Sequence, residues 1–230
     1  NYRPITSVAP FMYQNATFIP LTDTKGDVTH ICIIIYDVTD VAISKIELEE
    51  ANSELKRLSQ TDRLTNLNNR GHWEECLQKE FQRQRRNHHI SSLLIFDIDH
   101  FKRVNDGYGQ AAGDEAILHL AKILRKNLRE TDIGGRYGGE EYAVILTETD
   151  AKHAKIFAER IRRLVEASHV MYNGIEIKFT ISLGIAEYSD LFVNHQNWIE
   201  AADSALYKAK TAGRNQVKIY QPNANDNAEQ

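Results

Sequence analysis

The segment that most limits the fold is residues 92–96, Ser-Leu-Leu-Ile-Phe, an apolar run that ends on an acid, Asp97. A strand with one wet face alternates polar and apolar side chains; a run without alternation is covered on both faces. Its neighbours supply the cover. Helices are predicted over about 70–86, 113–128, 151–167 and 198–210. The second carries Ile117, Leu120, Leu124 and Leu128 along one side, and the third is expected to bury Ala154, Phe157, Ile161, Leu164 and Val165. Strands are predicted as a hairpin over 136–146, as one long strand over 176–188 and as an edge strand over 216–220. Helices interleaved with strands give an α/β fold, a sheet layered with helices.

Upstream, residues 15–21 and 28–37 read as two strands around the polar turn Thr-Asp-Thr-Lys-Gly-Asp. A lone hairpin of this length is marginal in water, so it reads as the tail of a larger sheet. Residues 41–58 are helical, rich in Glu and Lys, with Val41, Leu48 and Leu55 in one heptad row and Ser44, Ala51 and Leu58 in the other. Two readings stand: an amphipathic helix packed on its own domain, or a parallel dimeric stalk. Residues 61–69 are dense in turn and capping residues and open a new domain, which runs to about 220; the polar stretch 221–230 is expected to be loose.

With 230 residues and 42% hydrophobic side chains the chain can bury a full core, and a net charge of −4 argues against a broad nucleic-acid or membrane footprint. Cys32 and Cys76 lack metal-ligand spacing, which points to a reducing, cytoplasmic compartment. The longest apolar run, 31–36, is too short to cross a bilayer, and no signal-peptide pattern is present. The first residue, Asn1, suggests an excised piece, with room for a membrane-anchored sensor upstream. His88 and His89 fall in a basic run, 83–89, that reads as a helix end and solvated loop, and Trp73 and Trp198 sit at packing or interface positions.

Chemistry concentrates in two segments. Arg136-Tyr-Gly-Gly-Glu-Glu-Tyr142 places two glycines and two adjacent acids on a tight turn. Alone it would read as a hairpin tip with solvated glutamates. Phe96-Asp-Ile-Asp-His-Phe-Lys102 begins where a buried strand ends, so its acids emerge at the sheet rim, where α/β folds place ligands. If the two strands are neighbours, Asp97 meets Glu140 and the pair suits a hard cation such as Mg²⁺ on a triphosphate. Backbone N–H groups from His100 to Lys102 would face phosphates if a helix starts there, with Lys102 adding charge. Asn105 and Asp114 suit a purine edge, and Lys210 and Arg214 suit terminal phosphates. Individually such residues cap helices or face water; together they describe a nucleotide triphosphate site.

In order along the chain, Asp62-Arg-Leu-Thr-Asn-Leu-Asn-Asn-Arg70, the Phe96–Lys102 segment, Asn105-Asp106, Gly113-Asp114, the Gly138–Tyr142 turn, Ser182-Leu-Gly-Ile185 and Ala209-Lys-Thr-Ala-Gly-Arg-Asn215 resemble a GGDEF domain, the catalytic module of diguanylate cyclases. The resemblance spans about 62–220 and implies a palm-like sheet related to that of class III nucleotide cyclases. It implies conversion of two GTP to cyclic di-GMP and two pyrophosphates. Asp97, the Ile98 carbonyl, Glu140 and Glu141 would hold Mg²⁺, with Mn²⁺ as a substitute; Glu140 would take the ribose proton and Lys102 would stabilise the transition state. His100, Phe101, Lys102, Gly138, Gly139, Lys210 and Arg214 would contact the nucleotide, and Asn105 and Asp114 would read guanine. Arg129-Glu-Thr-Asp132 resembles the RxxD motif through which the product inhibits, with Arg160 as a secondary contact. Two equivalent bonds form per product, so the expected enzyme is a homodimer through the helix and the catalytic domains. No nucleic-acid polymer or membrane contact is expected of this segment. A nucleotide receptor on the same fold is the main alternative, and a purely structural dimeriser a third. Three positions depart from the pattern: Tyr142 for Phe, Gln110 for His and Gly71 for a second Arg. Residues 1–40 resemble the last strands of a PAS sensor domain, joined through Asp37-Val-Thr-Asp40 to a signalling helix over 41–60.

Overall fold

The computed structural model describes residues 11–87 and 89–222, without the side chains of residues 57 and 58. Residues 1–10 of the sensor-like segment, His88, the heptad side chain of Leu58, and the expected tail from residue 223 onward lie outside the described residues. The chain divides into two compact units, residues 1–59 and 60–230.

In the first unit β1 (Gln14–Thr22) pairs antiparallel with β2 (Val28–Asp37). Asp23 shapes the turn by accepting the N–H groups of Lys25 and Asp27, and Gly26 supplies the left-handed φ of 91°. Opposite pairs Phe18–Ile33 and Pro20–Ile31 share a face with Ala16 and Ile35. That face is apolar and exposed. Helix α1 (Thr39–Gln60) starts where Asp37 accepts both the Thr39 hydroxyl, at 2.6 Å, and the Thr39 N–H. Buried Thr39 also accepts the N–H of Tyr13, which ties the helix start to the strand before it. Val41, Leu48 and Leu55 are exposed along α1.

The second unit is built on a five-stranded sheet of order β4-β5-β3-β8-β9. Its centre is β3 (Ser92–Ile98), buried at every position and antiparallel to both β5 (Glu141–Leu146) and β8 (Ile181–Glu187). The edges are β4 (Ile133–Arg136) and β9 (Val217–Ile219), the latter parallel to β8. Side chains of β3 alternate between two cores. Leu93 and Ile95 join Trp73, Leu77 and Phe81 of α2 (Arg70–Asn87) and Trp198 and Leu206 of α6 (His195–Thr211). Leu94 and Phe96 join Leu120 and Leu124 of α4 (Gln110–Asn127) and Ile161 of α5 (Ala151–Glu166). Full burial of each such side chain stabilises by roughly 1.5–3 kcal/mol, which is why the strand tolerates no polar alternation. A short α3 (Phe101–Tyr108) connects β3 to α4. Both tryptophans are fully buried packing residues, their indole N–H groups donating to the carbonyls of Ile133 and Ala186.

At Gly184 of β8, a side-chain carbon would run into the Ala202 carbonyl and the Leu206 backbone, so this residue lets α6 lie directly on the sheet. The long strand expected over 176–188 is two elements. Residues 175–177 form β7 (Ile175–Ile177), which turns through Asn173 (φ 48°) and Gly174 (φ 80°) to pair with β6 (Val170–Tyr172). Between β7 and β8, residues 178–180 leave the ladder and Phe179 turns into the core. Leu164, expected to be buried, is 42% exposed because Ile161 and Val165 take the core-facing stripe of α5.

Candidate active site

The rim of the sheet where β3 ends brings the predicted acids together. Asp97 lies opposite Glu141 in the β3–β5 register, and Glu140 immediately precedes β5. The turn between β4 and β5 is closed by the N–H groups of Tyr137 and Gly138, which donate to the Glu141 carbonyl at 2.8 and 3.1 Å. A side-chain carbon at Gly138 would strike the Glu141 carboxylate, so the glycine admits the acid's fold-back over the turn. Arg136 clamps the turn from outside: its guanidinium donates to the Gly139 carbonyl at 2.7 and 3.1 Å and to Asp62 at 3.3 Å. Burial would raise the Asp62 pKa, but the Thr65 hydroxyl and N–H, with Arg136, hold that carboxyl below the usual range. Arg70 lies over the Tyr137 ring at 4.5 Å, and Trp73 meets the same ring edge-on.

Asp97 is the unusual member. It is 9% exposed, its Oδ2 accepts Lys210 Nζ at 2.5 Å, and its Oδ1 is buried without a hydrogen-bond partner among the described residues. Burial pushes its pKa up to about 6, over the opposing pull of Lys210, and the nearby Glu140 and Glu141 charges add to the rise. A desolvated carboxylate with an unmet oxygen beside two further acids fits a hard divalent cation.

Asp99, two residues on, is fully engaged. It accepts the hydroxyls of Thr180 and Ser182, each at 2.7 Å, and the N–H of Asn215 at 3.0 Å. It thereby holds the loop after α6, where Arg214 and Asn215 both take positive φ. Sequence reasoning assigned Asp99 no role, because its partners lie 81, 83 and 116 positions away.

His100 has left-handed φ (57°) and caps α3 without a side-chain bond, so the helix begins at Phe101; the Arg103 N–H donates to the His100 carbonyl at 2.8 Å, and the N–H groups of Phe101 and Lys102 precede any helical acceptor. Lys102 on this turn is exposed. Asn105 of α3 packs against Gly113 of α4, the residue before Asp114: a side-chain carbon there would collide with the Asn105 carboxamide and the Phe101 ring. Ile98 ends β3, and Lys210 and Arg214 lie at and just after the end of α6.

A model of the family described as "Diguanylate cyclase, GGDEF domain" matches residues 59–216. The chain belongs to the GGDEF family. It is 39% identical over 173 residues to the probable diguanylate cyclase DgcC of Escherichia coli K12, covering 75% of this chain and 46% of that protein. To diguanylate cyclase A of Treponema denticola it is 38% identical over 175 residues, covering 75% and 47%. The chain thus spans about half the length of these curated relatives. Among solved structures, the coiled coil and GGDEF domain of Caulobacter crescentus DgcB in complex with cyclic di-GMP superposes with a TM-score of 0.75 at 29% identity, covering 79% of this chain and 96% of that one.

Two features of this GGDEF domain bear on the departures and the second predicted site. Tyr142, fully buried and stacked on Phe96 with ring centroids 5.5 Å apart, donates its hydroxyl to the Ile117 carbonyl at 2.7 Å, so the added oxygen is satisfied. Its burial keeps the phenol protonated. Nothing in the structure explains the Gln110 and Gly71 departures. Away from the acidic rim, Arg129, Asp132 and Arg160 line one cavity of about 310 Å³ with Asn127 and His153. Asp132 accepts the Arg129 N–H at 2.9 Å through Oδ2, while Oδ1 is buried and unpartnered among the described residues. Burial raises the Asp132 pKa against the Arg129 N–H and the charges of Arg129 and Arg160. Arg160 reaches the Asn127 carbonyl at 3.4 Å.

Proposed function

We propose that this chain is a diguanylate cyclase that joins two GTP molecules into cyclic di-GMP and releases two pyrophosphates. The observation that carries the reading is Asp97, buried with one oxygen unmet beside the Glu140–Glu141 turn. Asp97, the Ile98 carbonyl, Glu140 and Glu141 would hold a divalent ion, Mg²⁺ with Mn²⁺ as a substitute. Bound there, such an ion neutralises charge on the phosphates during transfer. Among the described residues no three His, Cys, Asp or Glu side chains form a ready-made metal cage.

The remaining roles are those that the family resemblance implies. The backbone N–H groups from His100 through Lys102, at the start of α3, and the backbone of Gly138 and Gly139 bind phosphate oxygens; Asn105 and Asp114 bond the guanine edge. Glu140 accepts the ribose 3′-hydroxyl proton as that oxygen attacks the α-phosphorus of the partner nucleotide, and pyrophosphate leaves. Lys102 offsets charge in the transition state. Lys210, held on Asp97 here, exchanges that carboxylate for substrate phosphates along with Arg214. Two domains face each other, because each product needs two equivalent attacks. The exposed Val41, Leu48 and Leu55 row of α1 is the seam of a parallel stalk that raises the effective concentration of the two halves. The DgcB structure, described as a coiled coil with its GGDEF domain, supports that assignment. Cyclic di-GMP, bound in that same structure, would inhibit at Arg129, Asp132 and Arg160, where an unmet carboxylate oxygen and two guanidinium groups match guanine N–H groups and phosphates. The first unit is the end of a PAS-like sensor, and the chain works in the cytoplasm, without nucleic-acid polymer or membrane contact. Among the described residues no helix is long and apolar enough to cross a membrane.

The test is incubation of the purified chain with GTP and Mg²⁺, followed by chromatographic separation of nucleotides. Cyclic di-GMP should form, and should disappear in Glu140→Ala. Nucleotide retained without turnover by a chain that crosslinks as a dimer would defeat the enzyme reading.

A further inference from the structure

A second cavity of about 550 Å³ opens between α3, the end of α5 and the segment before β8. Its lining includes Asp99, Arg103, Tyr108, Glu166, Lys178 and Phe179. The acids in this wall are already committed. Asp99 takes three hydrogen bonds from within the fold, and Glu166 accepts Arg162 at 2.9 Å and the Asn215 carboxamide at 2.7 Å. The cations are less so. Among the described residues nothing pairs with the exposed Arg103 guanidinium, and Lys178 is held only by an exposed ion pair with Glu176, a contact of little strength in water. The formal charges of this wall balance, two acids against two cations, but the acids have their oxygens engaged while the Arg103 guanidinium keeps its donors open to an anion.

Its floor is different in kind. Phe179 is buried against the core with its ring edge-to-face to His119, and the Tyr108 ring is 44% exposed, its hydroxyl without a partner among the described residues. A small inorganic anion would satisfy the cations and leave this aromatic surface uncovered. A volume of this size, with an apolar floor and a few charged groups at its rim, matches an aromatic anion. Arg serves both requirements, since its guanidinium binds phosphate through a fork and stacks on rings.

We propose that this cavity binds a mononucleotide, with phosphates on Arg103 and Lys178 and the base against Tyr108 and Phe179. Two features link it to the acidic rim. His100, which caps α3, also lines the cavity, and Asp99 in its wall fixes the loop carrying Arg214. A bound phosphate here adds negative charge beside the groups that receive the substrate triphosphate, so occupancy raises the KM for GTP. This last consequence rests on the cyclase reading; binding does not.

Adenosine diphosphate is the probe, because Asn105 and Asp114 are assigned to guanine. Equilibrium dialysis of the full chain with labelled ADP, without GTP, is expected to show saturable binding. Arg103→Ala and Lys178→Glu should each weaken it by at least about ten-fold, while Asp114→Ala leaves it unchanged. Unchanged thermal midpoints in the two surface variants would exclude misfolding, and Lys178→Glu, in a connecting segment, decides if Arg103→Ala unfolds. The assignment is overturned by no ADP retention at millimolar concentration. Loss of binding in Asp114→Ala alone also overturns it, as does equal displacement by inorganic pyrophosphate, which would leave the base no part. With binding established, ADP should raise the KM for GTP in the native chain and not in Arg103→Ala; a chain that binds ADP but makes no cyclic di-GMP would sink the cyclase reading and leave the cavity's assignment standing.

Discussion

Asp97 and Asp99 stand two residues apart where β3 meets α3, 9% and 6% exposed, and their surroundings are opposite. Asp99 is surrounded by donors that the fold supplies, two hydroxyls and an N–H, and it fastens β8 and the loop after α6 to the sheet. Asp97 has one lysine and one empty oxygen, and burial has moved its pKa up to about 6. A buried carboxylate whose bonds are complete contributes to folding; one left incomplete costs stability and is poised for a ligand. The contrast separates two acids that a motif alone treats alike.

The sharpest break of the comparison is in activity. Asp97→Asn should lower cyclic di-GMP formation by about 10²–10³-fold, with an unfolding midpoint unchanged or raised, because the substitution removes a desolvated charge. A large drop in the midpoint would mean that Asp97 is structural. Asp99→Ala should behave in reverse order, losing about 3 kcal/mol of stability as buried donors lose their acceptor. For a domain of this size that corresponds to a fall of roughly 6–12 °C in Tm, read by calorimetry. Tyr142→Phe removes one buried hydrogen bond to a carbonyl that stays within a helix, and should cost about 1 kcal/mol without altering turnover. The smallest effect concerns His119, whose pKa is lowered by burial and by the charges of Lys122 and His169, with Ser168 as its hydrogen-bond partner. A depressed histidine pKa means the unfolded chain binds the proton first, so stability declines as pH falls from about 6.5 through the folded value. Unfolding midpoints of His119→Gln should show a shallower decline over that window.

The central strand and its covering helices were legible because residues 92–96 admit one environment, and the helices announced themselves by spacing. The hairpin of β6 and β7 was missed although Asn173-Gly174 is the strongest short turn signal in the region; the apolar run from 181 onward absorbed it into a longer strand. The acidic rim was legible as a set of residue types at element ends. What separates Asp97 from Asp99 was not, since it depends on Thr180, Ser182 and Asn215 arriving from distant sequence. The heptad row of α1 and the apolar face of the β1–β2 hairpin were readable as patterns, but pattern alone does not name what they meet.

Gly184 carries a consequence for the reach of Lys210. The helix bearing that lysine rests on bare main chain, so its standoff from the sheet is set by the thickness of a single hydrogen atom. Adding one methyl would wedge the two layers apart, and a cation now touching Asp97 would be drawn back from the rim although nothing at the rim had been changed.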